Sequence, residues 1–460
     1  MKEFVNNRYE LKEEDIDITK EKVRALIINY HGEVTICNYG DIYILPGGKI
    51  EDDETKENAL KRELKEELGL DFNDKEIVPF VTYIDYQKDY PTRSGETLNR
   101  KVTTHYYIIN SNLKSNIVNQ DLSKNEKEGF FKLHKIRVNQ LHNVILYPNS
   151  NPRKDFFDKE LLFIREEYSK LKDIDLHTHT TASDGELTKE ELIEFAKKNN
   201  VGTLAICNHD NIDDFKGASY EENDSLVLIP GVEIGCEVKK GTLHIVGYDY
   251  DPTNKELNNF VDRVHKNHIY NMKINNEGIK QLFGFKVSDE RIEELIKDDN
   301  IGRVYIAKEL VSMKKAADIQ DAFKKYLMKS HKYMKEDFKE VTAKEAINAI
   351  HSAGGFAVLA HPTSLKLNEQ QLDSFVEELK SLGIDGIETY NQIFTEDAIT
   401  TFENIAHKYD LYKTLGSDFH GKKVKPNVHI ANGSYDRTKV KKLSIVEEIK
   451  RRHNSNKENS

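Results

Sequence analysis

One segment, residues 48–70 with the sequence GKIEDDETKENALKRELKEELGL, constrains the fold of this chain most strongly. Its stretch from 55 to 68 contains no glycine or proline. Apolar residues recur in that stretch at three- and four-residue spacing, at Ala59 or Leu60, Leu64 and Leu68. Such a period is typical of an amphipathic helix with one buried face. We therefore expect a helix over 55–68 that packs its apolar face inward.

Three glutamates of this helix share a face, because Glu66 and Glu67 stand three and four residues after Glu63. Like charges at that spacing repel one another unless a cation neutralises them, and Mg²⁺ or Mn²⁺ prefers such oxygen ligands. Gly47 and Gly48 precede the helix and allow a tight turn that brings the backbone close to a ligand. On composition alone, a solvated helix rich in Glu and Lys is the alternative interpretation.

The full spacing favours the metal-binding interpretation, because it resembles the Nudix box of the Nudix hydrolases. Every fixed position of that signature is filled, by Gly48, Glu54, Arg62, Glu63, Leu64, Glu66, Glu67, Gly69 and Leu70. The resemblance implies an α/β/α sandwich that hydrolyses a nucleoside diphosphate derivative. It implies that the three glutamates bind metal, with one of them or a neighbour orienting the attacking water. It also implies that Arg62 holds the glutamates in place and that Gly48 contacts the substrate.

Length and charge bound the remaining possibilities. At 460 residues the chain can hold two or three domains with separate cores. Its net charge of −11 excludes a protein that coats nucleic acid through a basic surface, but it leaves open a small nucleotide or one RNA end in a metal-lined pocket. The three cysteines have no paired-motif spacing and no apolar run approaches the length of a membrane span. We therefore expect a cytoplasmic protein with no membrane partner.

The N-terminal part of the chain divides into two zones. Residues 1–150 mix short β-rich runs with the glutamate-rich helix and a final helix around residue 136, and we expect them to form the Nudix domain. A turn-rich stretch and a helix of alternating charged and apolar residues follow at 151–172, and we interpret them as a linker.

The remainder has the pattern of a second enzyme domain. Residues 173–440 alternate strands and helices, which predicts a parallel barrel or sheet. A helical insertion interrupts this alternation at 252–340. The last zone, 441–460, is predicted to be a polar C-terminal tail.

Histidines and acids follow successive predicted strands of this second domain. The segment DLHTH places His177 and His179 on one side of a strand, because side chains alternate with period two, so both imidazoles can meet one metal. Further candidates occur at later strand ends: Asp184, His209, Glu233, His244, His361, Asp418 and His420. A lone histidine is more often a surface or hydrogen-bonded core residue. Nine such residues at successive strand ends, where barrel enzymes place their chemistry, favour a metal centre.

These segments resemble the polymerase-and-histidinol-phosphatase (PHP) superfamily over about residues 173–435, through DLHTHTTASDGELTKEELIEFAKKNNVGTLAICNHD, PGVEIGCE, LHIVGY, AVLAHP and GSDFHG. Within it the chain is similar to the nucleoside 3′,5′-bisphosphate phosphatases, some of which also trim RNA from its 5′ end. The resemblance implies a distorted (β/α)7 barrel with three metal ions. The first ligand set is His177, His179, Glu233 and Asp418. The second shares Glu233 and adds His244 and His361, and the third is Asp184, His209 and His420.

The insertion carries the segment IGRVYIA, which resembles a phosphate-binding Gly-Arg segment of the bisphosphate phosphatases. The resemblance implies that Arg303 grips a substrate phosphate, since a guanidinium matches phosphate with two hydrogen bonds. An ordinary surface arginine is the alternative. Two positions depart from the family pattern: Asn208 replaces an aspartate and Tyr305 replaces a histidine. We expect the first to affect a contact behind the metal ligands and the second to affect substrate specificity.

Both resemblances imply metal-assisted hydrolysis of a phosphorus ester or anhydride without an organic cofactor. We therefore predict a bifunctional phosphohydrolase with Mg²⁺ or Mn²⁺ in the Nudix domain and Mn²⁺ in the barrel. The Nudix domain would act on a nucleoside diphosphate-linked compound, and the barrel on a 3′,5′-bisphosphate nucleotide or the 5′ end of a short RNA.

Two relays between the domains stay open. The Nudix domain would open a dinucleotide such as coenzyme A, or it would convert a capped or triphosphorylated RNA end to the monophosphate, and the barrel would use the product. The alternative class is a regulatory protein in which the Nudix fold senses a nucleotide and gates the barrel.

Overall fold

The computed structural model describes residues 1–39, 42–92, 94–122, 131–146, 151, 153–216, 220–298, 300–431 and 440–458. The strands are β1 Lys2–Asn6, β2 Ile18–Ile28, β3 Glu33–Tyr39, β4 Ile42–Ile44, β5 Val78–Pro91, β6 Thr97–Asn110, β7 Phe131–Arg137, β8 Asp173–Thr178, β9 Val201–His209, β10 Glu221–Glu222, β11 Val227–Cys236, β12 Leu243–Tyr248, β13 Phe356–Leu359, β14 Gly386–Tyr390 and β15 Tyr412–Leu415. The α-helices are α1 Lys56–Leu68, α2 Lys154–Ser169, α3 Lys189–Lys198, α4 Lys255–Phe283, α5 Asp289–Lys297, α6 Arg303–Ser312, α7 Ile319–Ala322, α8 Met328–Tyr333, α9 Ala343–Ser352, α10 Glu369–Ser381, α11 Glu396–Lys408 and α12 Ser444–Glu458. Within those residues, no helix combines the length and apolarity that crossing a membrane requires.

The first seven strands form one mixed sheet in the order β1-β5-β6-β2-β3-β4, with β7 paired to β3. Helix α1 packs on one face of this sheet, as its periodicity predicts. Leu60 and Leu64 are fully buried in one cluster with Val23 and Ala25 of β2. Thr55 caps the N-terminus of the helix by accepting a hydrogen bond from a backbone amide of the first turn.

Helix α2 packs on a separate cluster of the same sheet and completes an α/β/α sandwich. Leu161, Ile164 and Tyr168 of this helix are buried with Leu26 and Tyr106 of the sheet. The helix that we interpreted as a linker therefore supplies an outer layer of the N-terminal domain. Its apolar residues are the reason, because they need a surface to cover.

The helix expected around residue 136 is a strand. That residue lies in β7, which pairs antiparallel with β3 along its whole length. Phe131 and Leu133 alternate with polar residues there, which is the period of a strand rather than of a helix. A 3-10 helix follows the strand directly, over Val138–Leu146, so the prediction missed the strand and the helix type, and α2 takes the outer layer.

The second sheet has the order β15-β14-β13-β12-β11-β9-β8. Neighbouring strands are parallel, except that β12 runs antiparallel to both β11 and β13. A parallel bridge between Thr178 and Phe419 joins the two ends of the curled sheet. Helices α3, α9 and α11 pack against its strands. This confirms the distorted seven-stranded barrel that the sequence predicts.

The insertion at 252–340 forms helices with a core of their own, which includes Ile279 and Leu327. The first turns of α4 belong instead to the barrel core through Leu257 and Val264. The insertion is thereby anchored on the barrel and forms one wall of a cavity above the strand ends.

A buried polar network joins the two domains. The carboxylate of Glu76, which is 3% exposed, accepts hydrogen bonds from Lys413 Nζ at 2.9 Å and from His407 Nδ1 at 2.7 Å. Lys413 also donates to the Asn110 carbonyl at 2.8 Å. Burial raises the pKa of Glu76, but Lys413 and His407 outweigh it and lower that pKa to about 2. The interface is therefore stabilised by buried charged groups that are paired with each other.

The zone at 441–460, expected as a polar tail, is helical over Ser444–Glu458. Ile445, Val446 and Ile449 of this helix are buried in the barrel core. These apolar residues form a stripe on an otherwise polar helix, and covering that stripe orders the segment.

Candidate functional sites

Glu67 is buried beneath the turn that precedes α1. It is 1% exposed, and its carboxylate accepts hydrogen bonds from the Gly47 amide at 2.8 Å and from the Tyr39 hydroxyl at 2.6 Å. Burial raises the pKa of Glu67 to about 7, although both hydrogen bonds act in the opposite direction. At Gly47 the backbone has a φ of 126°, and an added Cβ would lie 2.3 Å from the Val23 carbonyl oxygen, so the turn requires glycine.

Arg62 bridges the neighbouring carboxylates. It donates to Glu54 at 2.8 Å and 3.2 Å and to Glu63 at 3.0 Å, and Glu66 lies 3.6 Å away. An added Cβ at Gly48 would lie 2.2 Å from the Glu63 carboxylate, so only glycine leaves room for it. Within the described residues, the box glutamates do not bring three ligand atoms within 4.8 Å of one another.

The barrel brings its nine candidate residues together around Glu233, which is fully buried. In the first group, Glu233 Oε2 lies 3.2 Å from His177 Nε2 and 3.3 Å from His179 Nε2. Asp418 Oδ1 lies 3.3 Å from the same nitrogen of His179. These four side chains could share one ion.

The second oxygen of Glu233 faces another group. Its Oε1 lies 2.6 Å from His244 Nδ1 and 2.7 Å from His361 Nε2. His209 Nδ1 lies 3.1 Å from Oε2, and the ligand atoms of His209, Glu233 and His244 are close enough to one another to share an ion, so His209 borders this second group. Because β12 runs antiparallel to β11, the start of β12 lies beside the end of β11 and places His244 within reach of Glu233.

A third group forms around Asp184, which follows β8. Its Oδ1 lies 3.2 Å from His420 Nε2, 3.9 Å from His179 Nδ1 and 4.0 Å from His209 Nε2. His179 and His209 therefore each border two groups, whereas the sequence assigned each to one. One continuous cluster results, with Glu233 at its centre.

The donors of this cluster fit divalent cations. Both ring nitrogens of His177 and of His179 are buried without a hydrogen-bond partner among the described residues, and so is Glu233 Oε2. Buried polar atoms without partners are costly, and a bound cation would supply the partner. Imidazole and carboxylate together suit first-row divalent ions.

The electrostatics keep the carboxylates charged and the His209 ring neutral. Three other rings differ, because burial lowers their pKa but the neighbouring carboxylates outweigh it and raise the pKa of His177, His179 and His361, so a cation would displace protons from them. Burial alone raises the pKa of Glu233, but the His244 and His209 imidazoles hold it well below its usual range. Burial also opposes ionisation of Asp418, and the nearby His179 and His177 imidazoles with Lys425 outweigh it, so that pKa is lowered as well. Burial lowers the pKa of His209 to about 4 and so keeps its ring neutral. Neutral imidazoles and charged carboxylates are the forms that bind metal.

Asp175 supports the cluster and was missed by the sequence analysis as a site residue. Fully buried, it accepts hydrogen bonds from the Ser417 hydroxyl at 2.6 Å, the Ser417 amide at 3.0 Å and the Ala431 amide at 2.6 Å. It thereby ties β8 to the segment that carries Asp418. Lys425 contacts Asp418 itself and donates from Nζ to Asp418 Oδ2 at 2.5 Å. The one available signal for Asp175 was its place at the start of DLHTH.

Asn208, which replaces an aspartate of the family pattern, fastens the loop that carries Asp184. Its Oδ1 accepts hydrogen bonds from the Thr180 amide at 2.8 Å and the Ser183 hydroxyl at 2.9 Å. Its Nδ2 donates to the Asp214 carboxylate at 2.7 Å. An aspartate at this position would lack that donor and would face the charge of Asp214, so the amide suits its surroundings.

A cavity of about 570 Å³ lies between the cluster and the insertion. Asp184 lines one side, and Arg303 and Tyr305 of α6 line the other. Arg303 is the first residue of α6, and its guanidinium makes no hydrogen bond or ion pair within the part of the chain that the structure describes. Arg303 is exposed toward the cavity, and partial desolvation there lowers its pKa, which Glu340 only partly offsets. The Tyr305 hydroxyl donates to the Ser183 carbonyl at 3.4 Å and links the insertion to the Asp184 loop.

Sequence profiles of two families match this chain. The profile of the NUDIX domain matches residues 19–153, which contain the glutamate-rich helix. The profile of the PHP domain matches residues 175–400, which contain seven of the nine clustered residues.

Individual relatives fall into the same two kinds. The 5′-3′ exoribonuclease Rnm of Salmonella typhimurium is 34% identical over 250 residues, which cover 54% of this chain and 84% of the relative. The 3′,5′-nucleoside bisphosphate phosphatase of Chromobacterium violaceum is 26% identical over 252 residues, covering 54% and 88%. The 8-oxo-dGTP diphosphatase of Proteus vulgaris is 43% identical over 91 residues, covering 18% and 70%.

Proposed function

Because this chain belongs to the PHP family of phosphoesterases and carries a Nudix hydrolase domain, we propose that it is a bifunctional phosphohydrolase with a different bond cleaved at each site. The barrel hydrolyses a nucleotide whose reacting phosphate has a second phosphate on the same sugar, as in a 3′,5′-bisphosphate or at the 5′ end of a short RNA. The observation that carries this proposal is the gathering of nine ligand side chains, with Glu233 at their centre, across one cavity from an arginine that has no partner among the described residues.

The barrel residues would either bind metal ions or hold the metal-binding residues in place. The cluster around Glu233 would hold Mn²⁺, in up to three positions. Bound there, the ions supply activated water and neutralise charge on the phosphoryl oxygens. Glu233 would contribute one oxygen to each of the first two ligand groups, since its two oxygens face different groups. Asp175 and Asn208 hold the surrounding loops in place and keep the donors aimed inward.

Arg303 would bind the second phosphate. It stands at the first position of α6, where free backbone amides and the helix dipole also favour an anion. The two PHP relatives named above act, by their names, on RNA and on nucleoside bisphosphates. Both substrates present two phosphate groups on one ribose, and that shared feature is what an arginine set apart from the metal cluster would recognise.

The test compares the hydrolysis of two nucleotides and then replaces one arginine. We expect the full chain with Mn²⁺ to hydrolyse adenosine 3′,5′-bisphosphate at least 10-fold more efficiently than adenosine 5′-monophosphate. Arg303→Met should raise KM for the bisphosphate about 10-fold or more and leave bound metal unchanged. Arg291→Met is the matched control, because that arginine lies in the same insertion and is equally exposed but is paired with Glu309 and Glu294. Equal efficiency on the two nucleotides would contradict the proposal.

The Nudix domain would hydrolyse a nucleoside diphosphate-linked compound with Mg²⁺ or Mn²⁺ held by Glu63, Glu66 and Glu67. The 8-oxo-dGTP diphosphatase relative adds nucleoside triphosphates to the substrates worth testing. A triphosphate cut to a monophosphate carries one phosphate, so it would not supply the barrel with a bisphosphate. A dinucleotide that already bears a 3′-phosphate would. Product-resolved assays on both substrate kinds therefore decide whether the domains act in sequence.

A second candidate function is nucleotide sensing by the Nudix fold. It is favoured by one observation: Glu67 is already hydrogen-bonded to Tyr39 and Gly47. A sensor would bind nucleotide without turning it over and would change the barrel rate. Turnover of any nucleotide by the wild-type Nudix domain, abolished in Glu66→Gln, would reject this reading. Binding without turnover, together with an altered barrel rate, would support it.

A further inference from the structure

We infer that Glu388 is a positioning residue of the barrel centre, which orients two of the proposed ligands, His177 and His361, without contacting substrate. The inference rests on the proposed function of the barrel as a metal-dependent phosphoesterase. Neither the strand-end pattern nor the family segments pointed to this residue, because it lies inside the run GIDGIETY on β14.

The carboxylate of Glu388 is 2% exposed and lies behind the cluster. Its Oε2 accepts a hydrogen bond from the backbone amide of His361 at 2.5 Å. Its Oε1 lies 3.7 Å from His177 Nδ1 and has no hydrogen-bond partner among the described residues. One buried carboxylate therefore reaches two ligands that come from different strands.

The contact to His361 holds a strained backbone. His361 has a φ of 23° and a ψ of 69°, a conformation that a residue with a Cβ adopts only when its surroundings enforce it. The hydrogen bond from its amide to Glu388 is one such restraint. It fixes the direction in which the imidazole leaves the chain, toward Glu233 Oε1 at 2.7 Å.

The contact to His177 concerns which ring nitrogen is free for a cation. His177 Nε2 faces Glu233 while Nδ1 faces Glu388. Each nitrogen thus faces a carboxylate, at 3.2 Å for Nε2 and 3.7 Å for Nδ1. Once a cation takes the place of a proton on Nε2, the anion beside Nδ1 holds the remaining proton there and keeps Nε2 as the ligand atom. A cation at Nε2 in turn makes the Nδ1 proton a stronger donor, which strengthens the attraction to Glu388.

The absence of a side chain at Gly416 is a second observation that supports the contact between His177 and Glu388. An added Cβ at Gly416 would lie 2.2 Å from His177 Cβ and 2.5 Å from Glu388 Oε1. A glycine at this position lets the histidine and the carboxylate pack side by side. Any larger residue would push them apart.

The decisive variant is Glu388→Gln in the full chain, because it keeps the volume and an acceptor for the His361 amide but removes the charge. We expect Mn²⁺ affinity, measured by electron paramagnetic resonance titration and by metal analysis after gel filtration, to fall about 10-fold or more. KM for the nucleotide at saturating Mn²⁺ should stay within about 2-fold. Glu388→Ala removes both contacts and should lose more metal.

Glu403→Gln is the matched control. Glu403 is equally buried in the same barrel, but it accepts from Tyr390 and from the Asn112 amide at the domain interface, each at 2.8 Å. Its variant should bind Mn²⁺ like the wild type. Unchanged Mn²⁺ affinity in a folded Glu388→Gln protein would overturn the inference. If the wild type binds Mn²⁺ but hydrolyses no nucleotide, the proposed function fails while the role of Glu388 stands.

Discussion

The two candidate sites are built in opposite ways. In the barrel, ligands from distant parts of the chain already converge, with Glu233 oxygens 2.6 Å to 3.3 Å from the surrounding imidazole nitrogens. In the Nudix domain, the ligands come from one helix of 13 residues, yet Arg62, Tyr39 and Gly47 already engage the carboxylates. In the barrel, several buried ligand atoms have no hydrogen-bond partner among the described residues. In the Nudix domain, the glutamates must give up existing hydrogen bonds and ion pairs when a cation binds.

That difference bears on metal affinity. Cation binding in the barrel would satisfy buried atoms that have no hydrogen-bond partner in the described part of the chain, so relief of that cost adds to the attraction between cation and carboxylates. Metal binding competes with protons in both domains, since burial raises the pKa of Glu67 to about 7 and the neighbouring carboxylates, outweighing burial, raise the pKa of His177, His179 and His361. We therefore expect the barrel to retain metal through purification and the Nudix domain to need it added.

The largest expected effect follows from Glu233→Gln. Two groups lose their shared charged ligand, so barrel turnover should fall by roughly 10⁴-fold or more. Metal analysis should show a parallel loss of bound Mn²⁺. Nudix turnover in the same sample should be unchanged, which makes it an internal control for folding. Wild-type barrel activity in this variant would break the comparison, because a cluster centred on Glu233 could not then be the active site.

How far the sequence predicts these sites depends on how local they are. The glutamates of the Nudix box lie within one helix, so their period and spacing predict both the helix and the ligand face. The barrel ligands were identified because each follows a strand, and strand ends meet at one edge of a barrel. Glu388 and Asp175 have no such signature, since their roles depend on which strands become neighbours.

The outer helices show the same limit. Helix α2 has the pattern of any amphipathic helix, and only the sheet it covers makes it part of the N-terminal domain. Ile445 and Ile449 of α12 are few among polar residues, so composition suggested a tail. Their burial depends on a surface formed by the rest of the barrel, which local pattern cannot reveal.

The next effect concerns the junction between the two regions. Lys413→Met leaves Glu76 buried without its strongest partner, which should reduce the free energy of unfolding by about 3–5 kcal/mol. Urea unfolding of the chain in EDTA measures it. Lys408→Met is the control, because its ion pair with Asp373 is at the surface and its loss should reduce the free energy of unfolding far less. Equal losses in the two variants would mean that the buried network does not hold the domains together.

A somewhat smaller effect is expected from acid. The pKa of Glu76 is lowered from 4.5 to about 2, so its contribution is complete above pH 4.5 and is lost as pH falls toward 2. The full loss amounts to about 3 kcal/mol. His407 acts in the other direction: its pKa is raised, so its contribution is present at low pH and is lost as pH rises through that raised value. The free energy of unfolding at pH 6 and pH 3, compared between the wild type and Glu76→Gln in EDTA, isolates the carboxylate. An identical acid slope in both proteins would contradict the assignment.

The smallest expected effect returns to the Nudix site and sharpens the contrast with the barrel. Glu67→Gln removes one carboxylate from the box but can still hydrogen-bond Tyr39 and Gly47, so the turn and helix should remain intact by circular dichroism. If Glu67 leaves those partners to bind metal, Nudix turnover should fall about 10²-fold while barrel turnover stays the same. If Nudix turnover is instead retained, Glu67 serves only to hold the turn. The metal would then be carried by Glu63 and Glu66, and the site would be still less preorganised than the barrel centre.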